Sequence, residues 1–222
     1  GAHPAMNTVT EAKPSVTPFF HAPTGTWTYV VADPASRAAA VIDPVLDYDW
    51  RSGRTGTKSA DTLVAHCTKE RLEVAWILET HAHADHLSAA PYLKSRLGGR
   101  IAIGRGILQV QATFKRIFGL GADFAADGSQ FDALLADGDR IDLGAIQGQV
   151  IAAPGHTSDS VAYLFGGERA QRDEPRAERA IAVVRLGVGE RRGLPERALE
   201  ALTPEDERFL AGLIVRESDR LS

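Results

Sequence analysis

The sequence predicts an α+β fold in which helices cover a β-sheet. Short runs of β-branched and aromatic residues, bounded by Gly, Pro or Asp, come in two sets and are typical of strands. Three stretches, 60–71, 87–97 and 107–118, instead repeat apolar residues at helical spacing. A hydrophobic content of 44% and a charged content of 24% are ordinary for a globular domain.

The strands are expected early in the chain, between the helices, and again after them. They are Phe19-Phe20, 26–32, 38–42, 74–78, 100–104, 139–143, 146–153 and 160–165. Asp33-Pro34 and Asp43-Pro44 mark strand ends. The stretch 45–58 is expected to be a loop, and Ser59 is expected to cap the first helix.

Length, charge and cysteine content limit the function classes. At 222 residues the chain allows one domain, or one domain and an appendage. A net charge of −4 argues against a nucleic-acid-binding surface, and no apolar run approaches the roughly 18 residues that span a bilayer. The single cysteine, Cys67, cannot form an internal disulfide, which favours a cytoplasmic protein. Because Cys67 lies inside a predicted helix, we expect it to fill the core rather than act as a nucleophile.

The seven residues 80–86 hold three of the chain's seven histidines, together with Asp85. They lie between a predicted strand and a predicted helix, where a loop can turn several side chains toward one point. Imidazole nitrogen and carboxylate oxygen are ligands of zinc, iron and manganese. His81 and His83 alternate and are expected to point the same way, with Asp85 and His86 available to a second ion. The alternative is a polar surface loop with incidental histidines, which the clustering disfavours.

The stretch His81-Ala82-His83-Ala84-Asp85-His86 matches the HxHxDH signature of the metallo-β-lactamase superfamily. Pro154-Gly155-His156-Thr157 resembles the later metal-histidine loop of that family. Other short segments resemble the glyoxalase II-like branch, and within it most of all the persulfide dioxygenases and bacterial β-lactamase-like hydrolases. These segments are Phe19-Phe20, 26–34, 41–47 and 78–81. The resemblance covers about residues 15–167 and implies an αβ/βα sandwich with its metal site at one edge between two sheets.

The resemblance implies a different ligand set for each of two kinds of enzyme. In the persulfide dioxygenases one ferrous ion is held by the first motif histidine, the later histidine and an aspartate. The two histidines correspond to His81 and His156. In the dinuclear zinc hydrolases the first ion takes three histidines, matched by His81, His83 and His156. The second takes Asp85, His86 and two later ligands. Because those two later ligands, an aspartate and a histidine, have no match in this sequence, we expect one divalent ion per chain, Fe(II) or Zn(II).

The resemblance ends near Gly167. Residues 168–222 carry 23 charged side chains in 55 residues, and all eleven cations there are Arg. The family's later strand with its metal-binding aspartate has no match, and the tail contains no histidine. The tail is either a helical appendage, with Thr203-Pro204 as a fair helix start, or the out-of-frame product of a GC-rich gene. The expected parts are 1–14, a tag remnant and loose N-terminus, 15–167, the metallo-β-lactamase-like domain, and 168–222, the atypical tail.

Three functions are open at this point. The first is an enzyme similar to glutathione-persulfide dioxygenase, which oxidises a persulfide sulfur to sulfite with dioxygen at a mononuclear iron. The second is a zinc-dependent thioester or ester hydrolase of the glyoxalase II type. In it, an activated water attacks the substrate and Asp85 orients that water or accepts its proton. The third is a truncated scaffold with weak metal binding and no catalysis. The expected partner is a small-molecule thiol, persulfide or thioester, and homodimerisation is left open.

Overall fold

A computed structural model describes residues 13–84, 86–154, 157–167 and 182–184. The strands are β1 Ser15–His21, β2 Thr26–Ala32, β3 Ala38–Ile42, β4 Val45–Asp49, β5 Arg54–Gly56, β6 Glu73–Glu79, β7 Leu87–Ser88, β8 Arg100–Gly104, β9 Ala133–Leu135, β10 Ile146–Ala152, β11 Val161–Gly167 and β12 Ala182–Val184. The helices are α1 Lys58–Lys69, α2 Ala90–Leu97 and α3 Ile107–Ile117. None of these helices is long and apolar enough to cross a membrane.

The main sheet has six strands in the order β1-β2-β3-β6-β8-β9. Its first three strands are antiparallel, and from β3 through β6 and β8 to β9 the pairing is parallel. A second sheet, β10-β11-β12, is antiparallel, and a small third sheet joins β5, β4 and β7. This mixture of helices with parallel and antiparallel strands confirms the predicted α+β class.

The main sheet is buried on both faces. Neighbouring residues of one strand, such as Val41 and Ile42 or Ile77 and Leu78, belong to two different clusters of buried side chains. One cluster includes residues of α1 and α2, and the other includes residues of β10 and β11. Because alternate residues of a strand point to opposite faces, helices lie on one side of the sheet and the second sheet on the other. This arrangement is the sandwich that the resemblance implied.

The stretch 45–58, expected to be a loop, forms the hairpin of β4 and β5. Strand β4 also pairs with β7, with Val45 opposite Ser88, so the helix expected to start at 87 begins only at Ala90. Ser59 is not the cap of α1. Its backbone N–H and its hydroxyl both donate to the Asp47 carboxylate at 2.7 Å, so the cap comes from β4. Strand pairing, which no local pattern encodes, accounts for these corrections.

The second half also departs from the expectation. The stretch 139–143 makes only isolated bridges with β10, whereas Ala133–Leu135 pairs with β8 as β9. In the tail, for which a helical appendage was one of two alternatives, Ala182–Val184 forms a strand antiparallel to β11. A run of Ala, Val and Val favours a strand because β-branched side chains suit a pleated surface. The expected helix start at Thr203 lies outside the described residues, and the expected domain limits stay predictions.

Helix α1 confirms the prediction for Cys67. The cysteine is fully buried among apolar side chains, and burial raises the pKa of its thiol to about 11. At that pKa almost no nucleophilic thiolate exists near neutral pH.

Candidate metal centre

The stretch 80–86 begins where β6 ends, at the carboxyl edge of the parallel strands of the main sheet. Asp43 follows the neighbouring strand β3, and its N–H donates to the Leu78 carbonyl at 2.9 Å. The loop is also fastened to the second half of the fold. Val161 N–H donates to the Thr80 carbonyl at 2.8 Å, and Ala82 N–H donates to Asp159 Oδ2 at 2.9 Å. The stretch therefore lies between the two sheets.

Three imidazole rings of this stretch lie in contact. The ring centroids of His81 and His83 are 4.2 Å apart, and those of His83 and His86 are 4.0 Å apart. His81 is 3% exposed and His86 8%, and the His83 side chain is 5% exposed. The remaining predicted site residues, Asp85 and His156, lie outside the described residues.

The Asp43 carboxylate holds this cluster in place through contacts with Thr80 and His83. Its Oδ1 accepts from the Thr80 N–H at 2.8 Å and lies 2.8 Å from His83 Nε2, and its Oδ2 accepts from the Thr80 hydroxyl at 2.9 Å. Asp43 is fully buried and has a φ of 52°, a left-handed conformation that Asp and Asn tolerate better than most residues. The sequence alone could not separate a turn aspartate from a partner of an imidazole. The structure places Asp43 against His83.

The hydrogen bonds indicate which ring nitrogens carry protons. Because the Thr80 hydroxyl gives its only hydrogen to Asp43, its oxygen must accept from His81 Nδ1–H, 2.9 Å away. His83 Nε2 faces the carboxylates of Asp43 and Glu79 at 2.8 and 2.9 Å, so that nitrogen is the donor. A neutral imidazole protonated on one nitrogen carries a lone pair on the other.

These lone pairs belong to His81 Nε2 and His83 Nδ1, both screened from solvent. His86 has its Nδ1 3.3 Å from Thr26 Oγ1, and its Nε2 is buried. Histidines that bind metals usually donate their second ring N–H to a carboxylate or another acceptor. The three rings therefore bring imidazole nitrogens, a donor type that binds divalent ions, into one buried cluster.

Glu79 is a member of the site that the sequence analysis missed. It ends β6, is 3% exposed, and accepts from the Ser88 hydroxyl as well as from His83. Burial raises the pKa of its carboxyl. Asp43, Glu79 and His83 offer ligand atoms within 4.8 Å of one another and could hold an ion themselves. Both carboxylates face one nitrogen of His83, however, so in this arrangement they share its proton. The sequence signal that could have identified Glu79 is an acidic residue at the end of an otherwise apolar strand.

The residues after the second predicted metal loop divide between two roles. Thr157 N–H donates to Ser160 Oγ at 3.3 Å, and the two hydroxyls are 2.7 Å apart, as expected for residues that stabilise a turn. Asp159 has a different role. It is instead buried, 6% exposed, and accepts from Ala82 in the histidine loop. Its reach of 77 positions along the chain could not be predicted from spacing.

Several known proteins resemble this chain. It is 51% identical over 155 residues to a probable metallo-hydrolase of Burkholderia pseudomallei, covering 70% of this chain and 53% of that protein. It is 46% identical over 156 residues to glyoxylase B2 of Dictyostelium discoideum, with the same shares covered. It is 30% identical over 141 residues to the mitochondrial persulfide dioxygenase ETHE1 of Bos taurus, covering 63% and 43%. The chain thus spans about half the length of these curated relatives.

The fold is similar to a solved structure from the same group. The crystal structure of ETHE1 from Myxococcus xanthus superposes with a TM-score of 0.50 and 27% identity, over 68% of this chain and 53% of that one. The family model of the metallo-beta-lactamase superfamily matches residues 21–170, which include the whole histidine stretch. Fold, histidine stretch and family model agree, and the chain belongs to the metallo-β-lactamase superfamily.

Proposed function

We propose that this chain holds one divalent ion through His81, His83 and His156, with Asp85 and His86 adjoining, and acts on a small thiol-derived substrate. One observation carries the proposal: hydrogen bonds to Thr80, Asp43 and Thr26 hold three buried imidazoles of one short stretch in contact with one another. Imidazoles backed by carboxylate or hydroxyl partners are typical of zinc and iron sites. Bound there, Fe(II) would supply a redox centre for dioxygen, and Zn(II) would supply a Lewis acid.

The reaction that we propose first is the oxidation of a persulfide such as glutathione persulfide. In the balanced reaction, RSSH, O₂ and H₂O give RSH, sulfite and two protons, so the terminal sulfur is oxidised and dioxygen is reduced. The similarity to a persulfide dioxygenase at 30% identity and to the ETHE1 fold supports this choice. The protein's own contribution is to keep the rings of His81 and His83 fixed through Asp43.

Hydrolysis of a glutathione thioester is a second candidate, favoured by one feature of the site. Two buried carboxylates orient His83, a ring that the resemblance makes a ligand in the zinc hydrolases but not in the persulfide dioxygenases. The 46% identity to a glyoxylase supports the same reaction. In this case Asp85 is the residue that we propose orients the attacking water or accepts its proton.

One comparison separates these activities. The purified full chain is loaded with Fe(II) under nitrogen, or with Zn(II), and offered glutathione persulfide or S-lactoylglutathione. Oxygen uptake with sulfite formation by the iron form supports the first reaction, and thioester loss by the zinc form supports the second. His81→Gln should abolish either one. Neither activity, together with a flat titration by both ions, would identify a non-catalytic scaffold and sink the proposal.

The number of ions is a separate test. Because the later aspartate and histidine that complete a second site in the family have no match in this sequence, we expect one tightly held ion per chain. Inductively coupled plasma analysis of the purified protein measures this stoichiometry, and two tightly held ions would contradict the expectation.

A further inference from the structure

A string of hydrogen bonds joins His86 to the protein surface. His86 Nδ1 lies 3.3 Å from Thr26 Oγ1, and the Thr24 hydroxyl donates to Thr26 Oγ1 at 2.9 Å. His21 Nδ1 lies 2.7 Å from Thr24 Oγ1, and His21 Nε2 lies 3.2 Å from Asp47 Oδ1. Thr26 is 2% exposed, whereas the Asp47 side chain is 27% exposed. The string therefore runs from the candidate metal centre outward.

The Thr24 hydroxyl determines the direction of its hydrogen bond with His21. A threonine hydroxyl has one hydrogen, and Thr24 gives it to Thr26, so the short contact with His21 requires His21 Nδ1–H to donate to Thr24. The Asp47 carboxylate can only accept, so in this arrangement His21 Nε2 also carries a hydrogen and the ring forms an ion pair with Asp47. A hydroxyl oxygen accepts up to two hydrogen bonds. Thr26 can therefore accept from His86 Nδ1–H in addition to Thr24, and in that arrangement the lone pair of His86 lies on Nε2.

We propose that His21, Thr24 and Thr26 are positioning residues that fix the ring orientation and the tautomer of His86, with Asp47 as their anchor. The inference rests on the proposed function, because it takes His86 to belong to the metal centre. Asp47 also receives both hydrogen bonds from Ser59 at the start of α1. The orientation of one imidazole in the site thus depends on the β1–β2 turn, the small third sheet and helix α1.

A purely structural role predicts a different outcome. If the string only tightened the β1–β2 turn, its loss would lower stability and leave the proton of His86 where it is. Positioning predicts that the proton of His86 redistributes between Nδ1 and Nε2 while the fold is retained. The tautomer of His86 is therefore the deciding measurement, and it requires no activity.

The test uses the metal-free full chain labelled with ¹⁵N. Long-range ¹H–¹⁵N spectra report which ring nitrogen carries the proton, and His86→Gln assigns the signals of His86. We expect Nδ1–H in the wild type and a several-fold larger Nε2–H fraction in Thr24→Val and His21→Gln. Thr24→Ser, which keeps the hydroxyl, should restore the wild-type tautomer. Thr62→Val is the matched control, since Thr62 lies exposed on α1 and bonds to the Lys58 carbonyl.

An unchanged tautomer in folded Thr24→Val and His21→Gln overturns the inference, as does Nε2–H in the wild type. If both variants fail to fold while Thr24→Ser folds, the string serves the turn alone and the inference is also overturned. A Co(II) titration gives the second measurement, in which Thr24→Val should bind about tenfold more weakly and Thr62→Val should bind as the wild type. A wild type that binds no ion would defeat the proposed function, and the tautomer measurement would still decide this inference.

Discussion

Asp43→Asn is the sharpest perturbation of the candidate metal centre. Asparagine has the same shape as aspartate and tolerates the left-handed φ of 52° at this position, so the backbone should not move. Its carbonyl oxygen can replace Oδ1, which faces Thr80 N–H and His83 Nε2. Its NH₂ group then replaces Oδ2 and meets the Thr80 hydroxyl, which can no longer donate to position 43. That hydroxyl must turn toward His81 Nδ1, which moves the proton of His81 to Nε2 and removes the lone pair meant for the ion.

The expected losses of metal affinity and of unfolding free energy follow from these hydrogen bonds. Changes to the outer partners of metal-binding histidines typically cost 10- to 100-fold in metal affinity, or about 1.4 to 2.7 kcal/mol. Replacing a charged acceptor by a neutral one weakens each of the two retained hydrogen bonds by about 1 kcal/mol. We therefore expect Asp43→Asn to bind Zn(II) or Co(II) at least tenfold more weakly and to lose about 2 kcal/mol of unfolding free energy.

Competition with a chromophoric chelator measures the affinity, and urea unfolding of the metal-free protein measures the stability. Asp123→Asn, the same substitution in an exposed loop, is the matched control and should match the wild type in both. Wild-type affinity in folded Asp43→Asn would refute the assignment of Asp43 as the residue that fixes the imidazoles.

Three further predictions concern the fold around the site. Because burial raises the pKa of Cys67 to about 11, the native protein should resist alkylation by iodoacetamide at pH 8 and react once unfolded in urea; rapid native labelling would show that α1 opens. Burial opposes ionisation of Asp47, but hydrogen bonds from Ser59 and His21 outweigh it and lower the pKa of its carboxyl. Its stabilising effect is therefore complete above about pH 4, the ordinary value, and is lost as the pH falls through the lowered value. Asp47→Asn should thus cost about 1 kcal/mol at pH 7 and less at pH 3 in urea unfolding, and an equal cost at both pH values would contradict this. Tyr163→Phe removes a buried 2.6 Å hydrogen bond to the Glu79 carbonyl and should cost about 1 to 2 kcal/mol, whereas exposed Tyr48→Phe should cost nothing measurable.

The sequence predicted the strands and helices whose patterns are local. Strands β2, β3 and β8 have the predicted bounds, and α1 and α3 lie within two residues of prediction at each end. Short strands paired with distant partners were not predicted. Strand β7 has only two residues, and its structure follows from pairing with β4, some forty positions earlier.

The same distinction between local patterns and distant contacts applies to the candidate metal centre. The contact of His81, His83 and His86 follows from a motif of six residues, and the sequence indicated it. Glu79 and Asp159 were missed because burial decides what they do. Each is a common residue at an ordinary position until the fold removes water from it and supplies a donor.

The two hydrogen bonds that join Thr80 and Ala82 to the second half of the fold have a thermodynamic consequence. The histidines follow a strand of the main sheet, but their loop is bonded to Asp159 in the connection between β10 and β11 and to Val161 at the start of β11. Any ion that prefers the clamped loop must also favour docking of that hairpin, because linkage acts equally in both directions. Binding of an ion at the centre and docking of the β10–β11 hairpin should therefore strengthen each other by the same free energy.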